Sequence, residues 1–256
     1  MKHKYLIDRI NIEWIYQIFT LLSGKMSVEE IVEMAKEEGV QFGERRDVFN
    51  RLVDLDILTK QREKNGTFVE FTPFGESVHL LYIKNPDKIP FLLHMLHILK
   101  SFEYDSPRYF TTYRYVIDTI LEEKIVSSNQ YSRVVKMLEE TYNDDVPITG
   151  MDATSIGKGT VFIQEILNEN FDLFEFVDPN LFSFGLQKYI ETKTRQDNQS
   201  LLITDNVKRD ISILLLIDKM KIEEMVNKLV RYKKAFTIRY APGGMVLQTI
   251  KNVSLQ

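Results

Sequence analysis

Residues Asn11 to Tyr82 read NIEWIYQIFTLLSGKMSVEEIVEMAKEEGVQFGERRDVFNRLVDLDILTKQREKNGTFVEFTPFGESVHLLY, and this stretch decides the fold. Ile12, Ile15, Tyr16, Ile18, Phe19 and Leu22 recur at helical spacing and make one apolar stripe. Ser23-Gly24 ends that helix. Ser27 stands three residues before Glu30, the signature of a capping box, so a second helix starts there. Its inner face is expected to be Ile31, Met34 and Ala35, and Gly39 supplies a stop. A third helix follows Gly43. Val48, Phe49, Leu52 and Val53 point inward, which leaves Glu44, Arg45, Asp47, Asn50, Arg51 and Asp54 for the outside.

Leu55 to Leu58 leads into a strand. Thr59–Arg62 and Thr67–Phe71 then form a hairpin across Lys64-Asn65-Gly66, where Asn-Gly suits a type I′ turn. Thr72-Pro73 starts the next helix, with Thr as cap and Pro at the first helical position. Three helices, a charged hairpin and the step Phe-Thr-Pro-Phe-Gly together resemble a winged helix-turn-helix. The resemblance covers the first third of the chain. It implies that the third helix enters a DNA major groove and that the hairpin touches the backbone beside it. On that reading Arg45, Arg46, Asn50 and Arg51 meet base edges, and Lys60, Arg62 and Lys64 neutralise phosphates. The same residues have a structural reading. Glu44, Asp47 and Asp54 stand at pairing distance from those arginines, and the second helix is acid-rich. Winged helices of this kind also serve as protein-docking modules.

The chain has 256 residues, 44% hydrophobic and 27% charged, which is the composition of an ordinary globular protein. It has no cysteine, so disulfides, thiolate zinc sites and a cysteine nucleophile are excluded. No apolar run approaches the roughly 20 residues that span a bilayer, and Asp8, Arg9 and Glu13 interrupt any signal-like core. The expectation is a cytoplasmic protein with no membrane partner. The formal charge is −4, so contact with DNA has to come from a local patch. Such a patch is available after Leu201, where ten Lys and Arg face five Asp and Glu.

Asn85-Pro86-Asp87 breaks the chain, and a helix opens at Pro90. His94 and His97 lie three apart on it. No carboxylate on that helix completes a metal set, and the expectation is two structural histidines. The aromatic run from Tyr104 to Tyr115 reads as a helix–helix seam. Helices over 115–123 and 127–142 follow, and Asn143–Pro147 is a linker. Gly-Lys-Gly-Thr at 157–160 lacks the spacing of a phosphate loop. Pattern parallels with the first module instead suggest a second winged unit near 148–195, with Leu173–Val177 and Leu181–Phe184 as wing strands. Glu191-Thr192-Lys193 has the form of a nuclease triplet but falls in a helical pattern.

Asp205-Asn206 caps an apolar helix. An amphipathic helix over 221–232 buries Ile222, Met225, Val226 and Leu229, and a hairpin turns at Pro242-Gly243-Gly244. Lys228, Arg231, Lys233, Lys234 and Arg239 gather between them as candidate phosphate contacts. The expected fold is mainly α with small β-hairpins. It comprises a winged helix-turn-helix domain over 1–84, a helical linker domain over 85–146 and an α+β domain over 147–256 that includes the second winged unit. The expected function is DNA binding without catalysis or cofactor, as a transcriptional regulator or in a DNA maintenance or defence system. Double-stranded DNA is the partner, and a homodimer is compatible with it. The alternatives are a protein-interaction adaptor within a complex and, more remotely, a metal-dependent nuclease around Glu191 and Lys193.

Overall fold

The computed structural model describes residues 11–42, 47–123, 130–142, 157, 160–161, 179–194, 200–233 and 235–255. The chain divides into two compact units, Met1–Pro90 and Phe91–Gln256. Both are mainly helical, and each carries a small antiparallel three-stranded sheet.

In the first unit the elements run α1 (Ile12–Leu21), β1 (Met26–Ser27), α2 (Val28–Glu37), α3 (Asp47–Asp54), β2 (Leu58–Glu63), β3 (Gly66–Phe71) and α4 (Pro73–Lys84). The sheet order is β1-β3-β2. The apolar stripe of α1 is buried through Ile12, Ile15, Ile18 and Phe19, as its spacing predicts. Ser27 caps α2, its hydroxyl accepting from the Glu30 amide at 3.1 Å. Gly39, at φ +83°, ends the helix, and the Val40 amide donates back to the Ala35 carbonyl at 2.8 Å. Met34 departs from expectation. It is exposed, and α2 buries Val28, Ile31 and Ala35. Position 34 sits at the margin of a stripe centred on 28, 31 and 35.

The hairpin is present, but its turn differs from the expected type I′. Glu63 pairs with Gly66, so the loop is Lys64-Asn65. Neither loop residue has positive φ; the positive angle falls on Gly66, at φ +143°. Glycine here ends a turn with two negative central angles, a geometry that favours Gly at its fourth position. The Thr-Pro-Phe-Gly step that follows is a packing device. The Thr72 hydroxyl accepts from the Gly75 amide at 2.8 Å, and Pro73 opens α4. Gly75 lies so close to the Ile57 carbonyl that a Cβ would sit 1.9 Å from its oxygen.

The second unit contains α5 (Ile89–Lys100), which starts at its border, then α6 (Arg108–Glu122), α7 (Tyr131–Tyr142) and α8 (Pro179–Thr194). After them come β4 (Ser200–Leu202), α9 (Asp205–Leu215), a short 3-10 turn (Lys219–Lys221), α10 (Ile222–Lys233), β5 (Phe236–Ala241) and β6 (Gly244–Thr249). The strand order is β4-β6-β5. From α8 onward this repeats the first unit: helix, short strand, helix, helix, then a hairpin, with the last strand in the middle of the sheet. The local devices repeat as well. Thr204 caps α9 through the Val207 amide as Ser27 caps α2 through Glu30. Leu216, at φ +51°, ends α9 where Gly39 ends α2. Ala241 pairs with Gly244 across Pro242-Gly243, and Gly244, at φ +125°, matches Gly66.

The repeat therefore lies later than its expected place near 148–195. Leu181–Phe184, expected as a wing strand, is helical and belongs to α8. Leu181, Phe182, Phe184, Leu186, Tyr189 and Ile190 are all buried. A helix buried on nearly every side shows no amphipathic period, and a short apolar piece of it reads like a strand. Pro179 at the first helical position was the available signal. The other expected strand, Leu173–Val177, the linker at 143–147 and Lys158-Gly159 of the excluded phosphate loop lie outside the described residues.

The aromatic run and the helix expected after it form one helix, α6. It buries Phe110 and Tyr113, as the seam reading requires, while Tyr104 before it is fully exposed. Both histidines of α5 are buried. His94 Nε2 lies 2.9 Å from the Ile213 carbonyl, and Nδ1 lies 2.9 Å from the Tyr113 hydroxyl. A carbonyl only accepts, so Nε2 carries the proton and Nδ1 accepts from Tyr113. Burial pushes the imidazole pKa down to about 3 and keeps it neutral. His94 thus joins α5, α6 and the last turn of α9, where it satisfies a carbonyl the helix cannot. Arg209 adds a second tie, its guanidinium donating to both oxygens of the mostly buried Asp118 at 3.0 and 2.6 Å.

Candidate nucleic-acid interface

In the first unit α3 and the β2–β3 hairpin stand together. Lys60 Nζ donates to Asn50 Oδ1 at 2.7 Å, which joins a hairpin residue to a helix residue expected on the same surface. Lys60 and Arg62 are exposed and alternate along β2, so they share one face, and Lys64 is exposed in the turn that follows. Opposite alternation places Gln61 and Glu63 on the other face, and Lys25 engages both: it donates to Gln61 Oε1 at 3.0 Å and pairs with Glu63.

Arg51 corrects the sequence reading. Expected on the outside of α3, it is 7% exposed. It follows Val48 by three residues and adjoins Leu52, both fully buried, so its stem runs along the inner face of the helix. Arg45 and Arg46 lie outside the described residues. What α3 does present outward includes Asp47 and Asn50, with Asp54 half-buried. That face is not basic.

In the second unit α10 holds the position that α3 holds in the first, and β5–β6 that of β2–β3. Ile222, Met225, Val226 and Leu229 are buried as expected, and α10 packs against β5, where Phe236 is buried. The outward residues are Glu223 and Glu224 at its start and Lys228, Arg231 and Tyr232 toward its end. This polarity suits the helix dipole. Lys228 pairs with Glu224 at 2.8 Å, and that contact holds the Glu224 carboxyl below the usual carboxylate range. Arg231 and Arg239 are exposed, with no ion pair to another described residue. Lys233 closes α10, and Lys234 lies outside the described residues. The structure thus brings Lys228, Arg231 and Arg239 onto the helix-and-hairpin pair of one unit.

Several exposed residues there escaped the sequence reading. Lys219, Met220 and Lys221 form the turn between α9 and α10, and Met220 is 88% exposed. Tyr232 and Tyr240 are 69% and 75% exposed. Taking the 236–249 hairpin as counterpart of the 58–71 hairpin and counting backward would have found them.

Glu191, Thr192 and Lys193 lie on α8 rather than on a strand. Glu191 binds Lys188 at 2.8 Å and Gln187 at 2.7 Å, whereas Lys193 pairs with Asp210 at 3.0 Å. The acid and the lysine are thereby engaged with different partners. Among the described residues no group of three or more His, Asp or Glu is placed to hold a metal ion, and no helix is long and apolar enough to cross a membrane. Comparison with known proteins finds no matching family model, curated protein or solved structure.

Proposed function

We propose that this chain is a cytoplasmic, non-catalytic DNA-binding protein built from two winged helix-turn-helix units, a regulator or a component of DNA maintenance or defence. The observation that supports it is the repeated order of helices and strands, with α10 of the second unit exposing Arg231 and Lys228 and β5 exposing Arg239. In such a unit the helix before the hairpin enters the major groove and the hairpin follows the adjacent backbone. The second unit is assigned the larger share of affinity, because α3 presents Asp47 and keeps Arg51 inside.

The test is fluorescence anisotropy of the full chain with duplex DNA at several salt concentrations. Binding should weaken steeply with salt. Arg231→Ala and Arg239→Ala should each weaken it several-fold and lower the slope of log K against log salt by about one. Unchanged affinity in the double variant would remove this surface from the proposal.

The burial of Arg51 and the acidic outer residues of α2 favour a second role for the first unit, as a docking face for a protein partner. A chain that gives no anisotropy change at low salt yet co-purifies with a stable partner would make that role the principal one.

A further inference from the structure

The two hairpins share a topology but not a chemistry. The first ends in Arg62-Glu63-Lys64-Asn65-Gly66, polar throughout and suited to phosphates. The second ends in Tyr240-Ala241-Pro242-Gly243-Gly244, with no charge beyond Arg239 at its base. Tyr240 is 75% exposed. Alternation puts it on the same sheet face as Phe236 and Ile238, the face that supplies the core; Phe236 is buried and Ile238 half-buried, and Tyr240 extends beyond them. The turn behind it is Pro242-Gly243, so the end of the hairpin is stiffened by one residue and bare of side chain at the next.

A charge-poor tip cannot bind phosphates through side chains. A tyrosine face held clear of the protein does suit the flat face of a nucleobase, and stacking requires no particular base. A base inside an intact duplex has both faces covered by its neighbours; one at a fork or an overhang does not. Resting on the DNA-binding reading above, we infer that the second hairpin binds unpaired bases, with Tyr240 stacking on the first exposed base while Arg231, exposed on the helix that packs against β5, holds the flanking backbone. The preferred ligand is then DNA with a duplex-to-single-strand junction.

The test uses the full chain and three labelled probes: a blunt duplex, the same duplex with a short 3′ or 5′ overhang, and a forked duplex. The junction probes should bind about tenfold more tightly than the blunt one, as expected for one base stacked on an aromatic ring. Tyr240→Ala should abolish that difference. Tyr240→Phe should restore it, since the ring is retained. Equal binding of all three probes by the wild type overturns this inference and leaves the DNA-binding proposal intact. So does a junction preference that survives Tyr240→Ala. Absence of binding to every probe overturns both. Unchanged thermal unfolding of the variants would show that an exposed tip residue has been altered without loss of the fold.

Discussion

Replacing His94 with leucine should cost the 91–256 unit about 3 kcal/mol of stability at neutral pH, because it removes a buried hydrogen-bonding group that faces both the Ile213 carbonyl and the Tyr113 hydroxyl. The Ile213 carbonyl loses the donor that completes the end of α9, and the Tyr113 hydroxyl loses its acceptor. The wild-type imidazole also makes stability depend on acidity. Its pKa in the folded chain is about 3, against 6.5 when exposed. The unfolded chain therefore takes up the proton first. The stabilisation is complete above pH 6.5 and is lost as the pH falls from there toward 3. Between pH 7 and pH 5 the unit should lose about 2 kcal/mol from this group alone. His94→Leu removes the titration, so the gap between variant and wild type should narrow by that amount at pH 5. The readout should report on this unit itself, for example hydrogen exchange of α5, α6 and α9 amides in urea. A gap that stays constant from pH 7 to pH 5 would show that His94 is not neutral and buried as described.

Gly75→Ala should destabilise the first unit by about 3 kcal/mol, a large cost for one methyl group. The added Cβ would meet a backbone oxygen, that of Ile57, at 1.9 Å. Ile57 cannot easily withdraw. Its amide donates to the Leu52 carbonyl at 2.9 Å, and its carbonyl accepts from the Thr72 amide at 3.0 Å. Asp56 before it is held at φ +58°. Relief of the clash would have to move the end of α3, the start of β2 or the start of α4. The only tryptophan, Trp14 on α1, reports on this unit, so urea unfolding followed by its fluorescence measures the loss. Gly185→Ala is the control. There the new Cβ would meet the Met95 sulfur at 2.7 Å, near the end of a flexible side chain that can turn aside. Its cost should stay below about 1 kcal/mol. Similar losses in both variants would mean that close approach to a fixed carbonyl is not what requires Gly75.

The elements that the sequence disclosed are those whose signals are local and one-sided. The stripe of α1, the cap at Ser27, the stop at Gly39 and the Thr72-Pro73 start each follow from a few neighbouring residues. Ile222, Met225, Val226 and Leu229 announce α10 in the same way. The misses arose where burial overrides pattern. Leu181–Phe184 looks extended because α8 is surrounded by core. Arg51 looks external because charge is taken as a sign of exposure, yet its long stem lies with Val48 and Leu52. The unit expected near 148–195 rests on short pattern parallels, whereas what the two units share is the order of their strands, which no short pattern encodes. Half of the expected groove residues of the first unit, Arg45 and Arg46, lie outside the described residues, so the second unit carries the argument for a DNA-binding face.

A DNA-binding face on the second unit is tested most directly by hydrogen–deuterium exchange of the full chain with and without duplex DNA. Slowed exchange should appear at 219–233 and 236–246, the α10 helix with its preceding turn and the second hairpin. Slowed exchange limited to α3 and the first hairpin, or none in either unit under conditions where binding is measured, would contradict the assignment.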